Sequence, residues 1–297
     1  MTEPQFGRLI TAMITPFDEN RDIDLKRTEE FVNRLIEGGT DSIIVCGTTG
    51  ESPTVFYPQK IEVIRRVIEA AAGRVPVIAN VGDNCTADTI DFAADVSKLG
   101  VDGIMCVVPY YTKPPQEGLY QHFKAIANST ELPIILYNIP SRCVINMKAE
   151  TTLRLAHDCA NIRAIKEASG DIEQVKAILA DAPAGFQVYS GDDSFTYPLM
   201  QAGGTGVIST IGNVATARMK EIVDLCAADE WEKALVANDA LLPLMNGLFD
   251  TTNPILVKEA LKLEGFPVGG VRLPLVNATP AESERLAAIM REVGVLQ

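Results

Sequence analysis

Short apolar runs alternate with amphipathic stretches along most of the chain, and this alternation is its main structural signal. The first run, RLITAMI at 8–14, predicts a β-strand that ends before Pro16. Residues 24–37 follow with apolar side chains at helical spacing, and Gly38-Gly39 ends the predicted helix. Further strand-like runs begin near Ser42, Val75, Gly103, Pro133, Ile162, Gly185 and Gly206.

Amphipathic segments separate these runs and predict helices between consecutive strands. The clearest of them are residues 58–72, 87–99, 116–128 and 171–180. Several runs are apolar throughout, as parallel strands covered on both faces usually are. Eight strands, each followed by a helix, predict an α/β protein with a (β/α)8 barrel, the TIM barrel. A doubly wound open sheet is the alternative, and it is weaker because no G-x-G-x-x-G motif follows the first strand.

The last part of the chain, after about residue 228, has no strand-like runs. Residues 230–248, 254–263 and 280–293 predict three helices, the last with Thr279 as its cap and Pro280 in its first turn. We therefore expect two domains. Residues 1–228 would form the barrel that carries the active site, and residues 229–297 would form a small C-terminal domain of three helices.

The composition of the chain indicates which kinds of binding partner are to be expected. A chain of 297 residues with 47% hydrophobic content can bury a large core, and its formal net charge of −13 argues against binding nucleic acid or an anionic membrane. No apolar run reaches the ~18 residues of a membrane span. Residues 1–8 also lack the basic and apolar regions of a signal peptide. We expect a cytoplasmic protein with no nucleic-acid or membrane partner.

The six cysteines are scattered and form no C-x-x-C pair. Cys46 and Cys106 lie in apolar runs, where a free thiol packs like a small hydrophobic group. This usage predicts a reducing compartment, with neither disulfides nor a zinc site. His122 and His157 also stand outside any cluster of ligand residues, so we expect no metal.

Residues 161–170 contain a short apolar run that Lys166 interrupts just before a Ser-Gly turn. If the run is a barrel strand, the amine lies at its carboxyl end, where such barrels bind their substrates. Burial would disfavour the ammonium, lower the pKa and make the amine a usable nucleophile. Taken alone, however, this stretch fits the more common situation, a strand-end lysine that extends its amine into solvent.

Other strand ends carry side chains that suit the same chemistry. Tyr137 ends the fifth run, next to the strand of Lys166, and a phenol there can move protons while an imine forms. Arg142 follows it with a guanidinium fork that can bind a carboxylate. After the second run, Thr48 and Thr49 lie in a glycine turn whose hydroxyl and N–H groups can also hold a carboxylate. Each feature alone is compatible with a purely structural role.

Three further strand ends allow two interpretations each. Tyr110-Tyr111, after the fourth run, could be packing residues or could supply a phenol to a proton relay. Asp192-Asp193, after the seventh run, could bind a metal, but the pair opens a predicted helix, and we favour acidic caps. The glycine-rich eighth run at 203–209 could cradle a phosphate, and we favour close approach of the backbone instead.

Several of these segments occur together, in this order, in one enzyme family. They are ITPF at 14–17, GTTGES at 47–52, PYY at 109–111, YNIPSR at 137–142, IKEASG at 165–170, SGDD at 190–193, GGTGVIS at 203–209 and NPILVK at 253–258. In these motifs the chain resembles the dihydrodipicolinate synthase / N-acetylneuraminate lyase family of class I aldolases. The resemblance implies a lyase that forms a Schiff base between a lysine and pyruvate, with no metal or other cofactor.

The resemblance also implies roles for individual positions. Lys166 would be the Schiff-base lysine and Tyr137 the acid/base phenol, with Thr48 and Tyr111 completing a proton relay. The substrate-binding positions would be Thr49, Arg142, Gly191 and the backbone at Ile208. Tyr111 would reach into the site of a neighbouring subunit, in a homotetramer built as a dimer of dimers.

Arg142, after Ser141, resembles the synthase branch of the family, in which the arginine binds the carboxylate of the second substrate. We therefore expect condensation of pyruvate with L-aspartate-4-semialdehyde, in lysine and diaminopimelate biosynthesis. Cys143-Val144 and residues 79–82 depart from the family's usual residues, so two alternatives stay open. One is another pyruvate-dependent aldolase of the family, an N-acetylneuraminate lyase or a 2-keto-3-deoxy sugar acid aldolase. The other is a non-catalytic binding barrel.

Some synthases of the family bind lysine between subunits, and the chain has candidate positions for such an allosteric site. Ser52, Asn84 and Tyr110 match it. Tyr57 and Lys60, however, stand where inhibited enzymes commonly carry histidines. Because a cationic Lys60 would repel the ammonium group of lysine, we expect weak or absent inhibition.

Overall fold

The computed structural model describes residues 4–296 and shows a closed barrel of parallel strands, arranged in the order of the sequence. The strands are β1 (Leu9–Ala12), β2 (Ser42–Val45), β3 (Val77–Asn80), β4 (Gly103–Val107), β5 (Ile134–Asn138), β6 (Ile162–Glu167), β7 (Gln187–Ser190) and β8 (Gly206–Ser209). Pairing of β1 with both β2 and β8 closes the barrel. The predicted fold class, a (β/α)8 barrel with C-terminal helices, is confirmed.

Helices surround the barrel and connect its strands. They are α1 (Leu25–Glu37), α2 (Tyr57–Ala71), α3 (Thr86–Ser97), α4 (Gln116–Ala127), α5 (Pro140–Cys143), α6 (Ala149–Asp158), α7 (Ile172–Asp181), α8 (Thr196–Gln201) and α9 (Thr216–Ala227). Capping and an apolar face explain why α1 forms. The Asp24 side chain accepts a hydrogen bond from the Arg27 amide and caps the helix. The buried face of the helix includes Phe31 and Leu35.

Three more helices follow the barrel: α10 (Trp231–Gly247), α11 (Ile255–Leu263) and α12 (Pro280–Glu292). Their bounds lie within one residue of the predicted ones. Thr279 and Glu282 form a capping box at the start of α12, because each side chain bonds to the backbone N–H of the other residue. In addition, α10 packs against α9, which joins these helices to the barrel. The division into domains at residue 228 stays a prediction.

Burial on both faces explains why the barrel strands are almost uniformly apolar. The strands β1, β2 and β3 have four residues each, and every one of these residues is buried. Within β6, in contrast, the apolar pattern is broken by Lys166 and Glu167, both of which are nevertheless buried. Buried charges need partners, and these two lie at the carboxyl end of the barrel, where the parallel strands bring their last residues together.

All six cysteines are free thiols, and Cys46 and Cys106 are buried as predicted. Among the helices described within residues 4–296, none is both long and apolar enough to cross a membrane.

Candidate active site

Lys166 lies near the end of β6 with only 4% of its surface exposed. Burial is the main reason that the pKa of its amine is lowered to about 8. The negative charge of Asp193 raises this pKa, and the positive charge of Arg142 lowers it further. The alternative interpretation, an amine extended into solvent, is therefore wrong. An amine with this pKa is partly neutral near physiological pH and can attack a carbonyl carbon.

Tyr137 is the direct neighbour of Lys166. The register of β5 and β6 pairs the two residues, and the lysine Nζ lies 4.4 Å from the centroid of the phenol ring. Burial raises the pKa of Tyr137 to about 12, while Arg142 and the Thr48 side chain act to lower it. The phenol is thus protonated at neutral pH and lies where it can donate a proton beside the amine.

A polar network on the outer side of the barrel holds these two strand ends in register. Because side chains alternate between the two faces of a strand, Asn138 and Glu167 face away from Tyr137 and Lys166. The Asn138 amide donates to both Glu167 carboxylate oxygens, at 3.1 Å each. Gln174 of α7 donates to the same carboxylate at 2.9 Å, and burial raises the pKa of Glu167. Sequence analysis missed this network.

Asp192 and Asp193 differ in role. Asp192 is a cap as predicted, since its carboxylate accepts a bond from the Ser194 amide at 2.9 Å. Asp193, in contrast, is buried, and the prediction that it acts as a cap is wrong. Its carboxylate accepts hydrogen bonds from the Ser209 hydroxyl at 2.5 Å and from the Thr210 and Ile211 amides at 2.9 Å. Burial raises its pKa to about 6.

Asp193 therefore connects the segment after β7, which contains Gly191, to the end of β8, the strand that contains Ile208. A Cβ atom at Gly191 would lie only 3.2 Å from the Cε atom of Lys166, so the backbone passes directly against the lysine. Ser190 pairs with Val207, and continuing this register brings Ile208 level with Gly191. The backbone at Gly191 thus lies directly against the lysine side chain, and Ile208 lies level with it on the next strand.

The turn after β2 carries Thr48 and Thr49. Thr49 is buried and its hydroxyl accepts a hydrogen bond at 2.9 Å from the amide of Asn253, a residue outside the barrel. Two residues further on, the carboxylate of Glu51 forms an ion pair of 2.5 Å with Lys258, and both side chains are almost fully buried. Burial lowers the pKa of Lys258 to about 8, against the effect of Glu51.

Arg142 lies at the mouth of the site. It belongs to the four-residue helix α5, its side chain is exposed, and its guanidinium donates to the Asn253 carbonyl at 3.4 Å. Arg142, Thr48 and Tyr137 line one cavity of about 230 Å³. The cavity can therefore receive a small carboxylate compound next to the phenol, with a cation at its entrance.

Two other predicted residues fall outside this cluster. Tyr111 is 88% exposed on the loop after β4, with a φ of 68°. Asn84, predicted as part of an allosteric site, lines neither this cavity nor its neighbour, whereas Ser52 and Lys60 line both. Tyr110 lines the smaller cavity and donates a hydrogen bond to Asp83 at 3.3 Å.

The neighbouring cavity measures about 690 Å³ and is bordered by α2 and α3. Its aspartates include Asp83, Asp88, Asp91 and Asp95, and the positive charges among them come from Lys60 and Lys98. Among residues 4–296, the structure contains no group of three or more histidine, cysteine or acidic side chains arranged to hold a metal ion.

A desolvated lysine beside a protonated phenol, at the carboxyl ends of parallel barrel strands, is the arrangement of a Schiff-base aldolase. Comparison with known proteins identifies the group: the model of the dihydrodipicolinate synthetase family matches residues 5–293. The chain belongs to this family. This confirms the resemblance noted from the motifs and the expectation of an enzyme.

Similar proteins extend over the whole chain. The 4-hydroxy-tetrahydrodipicolinate synthase of Moorella thermoacetica is 52% identical over 98% of this chain and 100% of its own. The enzyme of the same name from Bacillus subtilis is 46% identical, over 97% and 99% of the two chains. A crystal structure of the dihydrodipicolinate synthase of Cyanidioschyzon merolae with lysine bound superposes with a TM-score of 0.97, at 42% identity over 99% and 100% of the chains.

Proposed function

We propose that this chain catalyses the 4-hydroxy-tetrahydrodipicolinate synthase reaction, in which pyruvate condenses with L-aspartate-4-semialdehyde. The relatives of that name, which match almost the whole chain, support this choice of substrates. The proposal rests above all on the burial of Lys166 at 4.4 Å from the Tyr137 ring, since this pair supplies both a nucleophile and a proton donor.

In the proposed mechanism the neutral amine of Lys166 attacks the keto carbon of pyruvate, and loss of water gives an imine. Tyr137 donates the proton that the departing hydroxyl needs, with Thr48 and Tyr111 as the remainder of the relay. Loss of a proton from the methyl carbon gives an enamine, which forms a carbon–carbon bond to the aldehyde. Attack of the second substrate's amine then closes the ring and releases Lys166.

Substrate binding would use groups with a complementary charge or polarity. Thr49 and the backbone at Ile208 and Gly191 would hold the pyruvate carboxylate and its imine, beside the lysine. Arg142, at the mouth of the cavity, would bind the carboxylate of the aldehyde. The reaction as written requires no metal or organic cofactor, because the lysine imine itself withdraws electrons from the methyl carbon.

Borohydride reduction in the presence of pyruvate tests the imine. We expect a mass increase on the peptide that contains Lys166, and none in Lys166→Ala or Lys166→Arg. Lys258 is an internal control within the same chain, because its pKa is also lowered to about 8 but its amine is paired with Glu51. An unmodified Lys166 peptide, or modification at Lys258 instead, would contradict the mechanism.

The second substrate requires a separate assay. Coupled assays should show turnover with pyruvate and L-aspartate-4-semialdehyde, and not with N-acetylneuraminate or 2-keto-3-deoxy sugar acids. Arg142→Ala should raise KM for the semialdehyde more than KM for pyruvate, since the guanidinium lies at the mouth rather than beside Lys166. A preference for a sugar acid would replace this substrate assignment while leaving the imine chemistry intact.

The proposal extends to assembly and location. The exposure of Tyr111 is compatible with a shared site in a homotetramer built as a dimer of dimers, because within its own chain the phenol stands in solvent. Sedimentation analysis tests this state. The six free thiols support a reducing compartment, and we propose the cytoplasm.

We further predict that L-lysine inhibits this enzyme weakly or not at all. Ser52 and Lys60, two of the candidate allosteric positions, line the cavity of about 690 Å³, and the positive charge of Lys60 would oppose the binding of an ammonium group beside it. Lys60→His should strengthen the inhibition, because the charge is largely removed at neutral pH. Inhibition curves for both proteins check this, and half-inhibition of the wild type well below millimolar lysine would contradict the prediction.

A further inference from the structure

Asn253 precedes α11 and lies outside the barrel, yet its side chain reaches the site. Its amide nitrogen donates to the Thr49 hydroxyl at 2.9 Å, and both residues are buried. The same residue's backbone carbonyl accepts a bond from Arg142 at 3.4 Å. One residue of the C-terminal segment thus contacts side chains at two ends of the candidate site.

The direction of the Asn253–Thr49 bond determines what Thr49 can do. A hydroxyl has one proton to donate, and if it accepts from an amide that proton stays free for another acceptor. The reverse orientation of the Asn253 amide would use the Thr49 proton and leave both amide N–H groups without a partner. The observed orientation instead bonds one amide N–H to the Thr49 hydroxyl and leaves Asn253 Oδ1 without a hydrogen bond among the described residues.

A second contact holds the same two segments together. The Glu51–Lys258 ion pair joins the turn of Thr49 to α11 at 2.5 Å, and Lys258 also donates to the Gly270 carbonyl at 2.9 Å. Both charged side chains are almost fully buried, so the pair has no competing solvent. Asn253 is therefore presented to Thr49 from a segment that is itself fixed in position.

We propose that Asn253 is a positioning residue that makes Thr49 a hydrogen-bond donor to the carboxylate of the first substrate. The inference rests on the proposed function, since it takes that substrate to be pyruvate held by Thr49. Asn253 itself does not touch the reacting atoms. It acts by donating a hydrogen bond to the Thr49 oxygen, so that the Thr49 proton remains available to the carboxylate.

Asn253→Asp provides the sharpest test, because the new side chain has nearly the same shape but accepts hydrogen bonds only. It should draw the Thr49 proton towards itself, and KM for pyruvate should rise by at least about tenfold, the effect expected for a lost bond to a charged group. Asn253→Ala leaves the hydroxyl free to rotate and should raise KM less. In both variants kcat should change less than KM, and borohydride at saturating pyruvate should still label Lys166.

A double-mutant cycle separates this role from a general effect on folding or charge. Once Thr49→Val has removed the hydroxyl, Asn253→Ala should cause no further increase in KM for pyruvate. Additive increases, or an Asn253→Asp variant with unchanged KM, would overturn the inference. Failure of the wild type itself to form a pyruvate imine would instead overturn the proposed function, so the two failures are distinguishable.

Discussion

The reactivity expected of Lys166 comes mainly from burial, and a neighbouring anion moderates it. A pKa of about 8 leaves roughly a tenth of the amine neutral at pH 7, against roughly one part in three thousand for an ordinary lysine. Asp193 favours the ammonium form and thereby keeps the pKa from falling further. The same carboxylate will favour a protonated imine once the substrate is bound, because that group carries the same charge.

Asp193→Asn should lower the pKa of Lys166, because the variant removes an anion that stabilises the ammonium. For the wild type, kcat/KM for pyruvate should rise with pH through an inflection near 8, as the free amine forms. In the variant this inflection should move to lower pH by on the order of one unit.

Asp192→Asn is the matched control. Asp192 also favours the ammonium form of Lys166, but less than Asp193, and its side chain is exposed. A smaller shift is therefore expected. Thermal unfolding of both variants would show whether the loss of the three bonds accepted by Asp193 affects the fold. An inflection that stays in place or moves upward in Asp193→Asn would contradict the electrostatic role.

Functional residues could be predicted from the sequence where a polar or ionisable side chain stands at the end of an apolar run. Lys166 and Tyr137 interrupt apolar runs, and the alternation of strands and helices brought them to one edge of the barrel. The buried role of Asp193 was not predicted, because an acidic residue after a strand is usually a cap. Glu167 was not singled out, since nothing in its own strand indicates that Asn138 of β5 is its partner. Asn253 likewise carries no local pattern that points to Thr49.

At the scale of elements, α5 combines a functional position with backbone strain. Val144 directly follows this helix, adopts a φ of 68° and is 70% exposed. This left-handed conformation is costly for a β-branched residue and easy for glycine. Other residues with positive φ lie beside the site as well: Cys46, Glu51 and Tyr111. Strain of this kind is typical of segments that position functional groups.

Val144→Gly should increase the free energy of unfolding by about 1 kcal/mol. Glycine removes the cost of the left-handed conformation, and this gain is larger than the loss caused by the greater entropy of glycine in the unfolded chain. Urea unfolding measures this change in the free energy of unfolding. Val144→Ala is the control and should gain less, because alanine retains a Cβ atom. Equal stability of the two variants would show that the conformation of residue 144 carries no strain.

Elements with a continuous apolar or amphipathic pattern were predicted well, and short ones were not. The helices α5 and α8 have four and six residues, too few for a helical period to be visible. In α6 the buried face includes Thr151 and Thr152 beside Leu155, so its pattern of hydrophobic residues is weak. The barrel itself could be inferred without them, since eight apolar strands suffice to define it.

At the scale of the whole molecule, the buried Glu51–Lys258 pair joins the barrel to the C-terminal helices. Lys258→Met should cost about 3–5 kcal/mol, because it leaves the Glu51 carboxylate buried without its partner. The double variant Glu51→Gln with Lys258→Met should recover part of this loss, as no unpaired charge remains. The free energy of unfolding in urea is the measurement.

The exposed pair Lys176–Glu173 is a suitable comparison, since both of its side chains are more than half exposed. Lys176→Met should cost at most about 1 kcal/mol, because solvent screens the charges. If Lys258→Met is no more destabilising than Lys176→Met, the buried pair does not connect the two parts of the protein as described.

If Tyr111 completes the site of a neighbouring subunit, two inactive variants should regain activity when their subunits are mixed. In the proposed dimer, a chain with Tyr111→Phe keeps its own Lys166, and a chain with Lys166→Ala lends its Tyr111 to that site. Random reassembly of an equal mixture would place one complete site in each mixed dimer, and about a quarter of all sites would work. Condensation activity after mixing and reassembly measures this complementation; a site served by its own Tyr111 would give none.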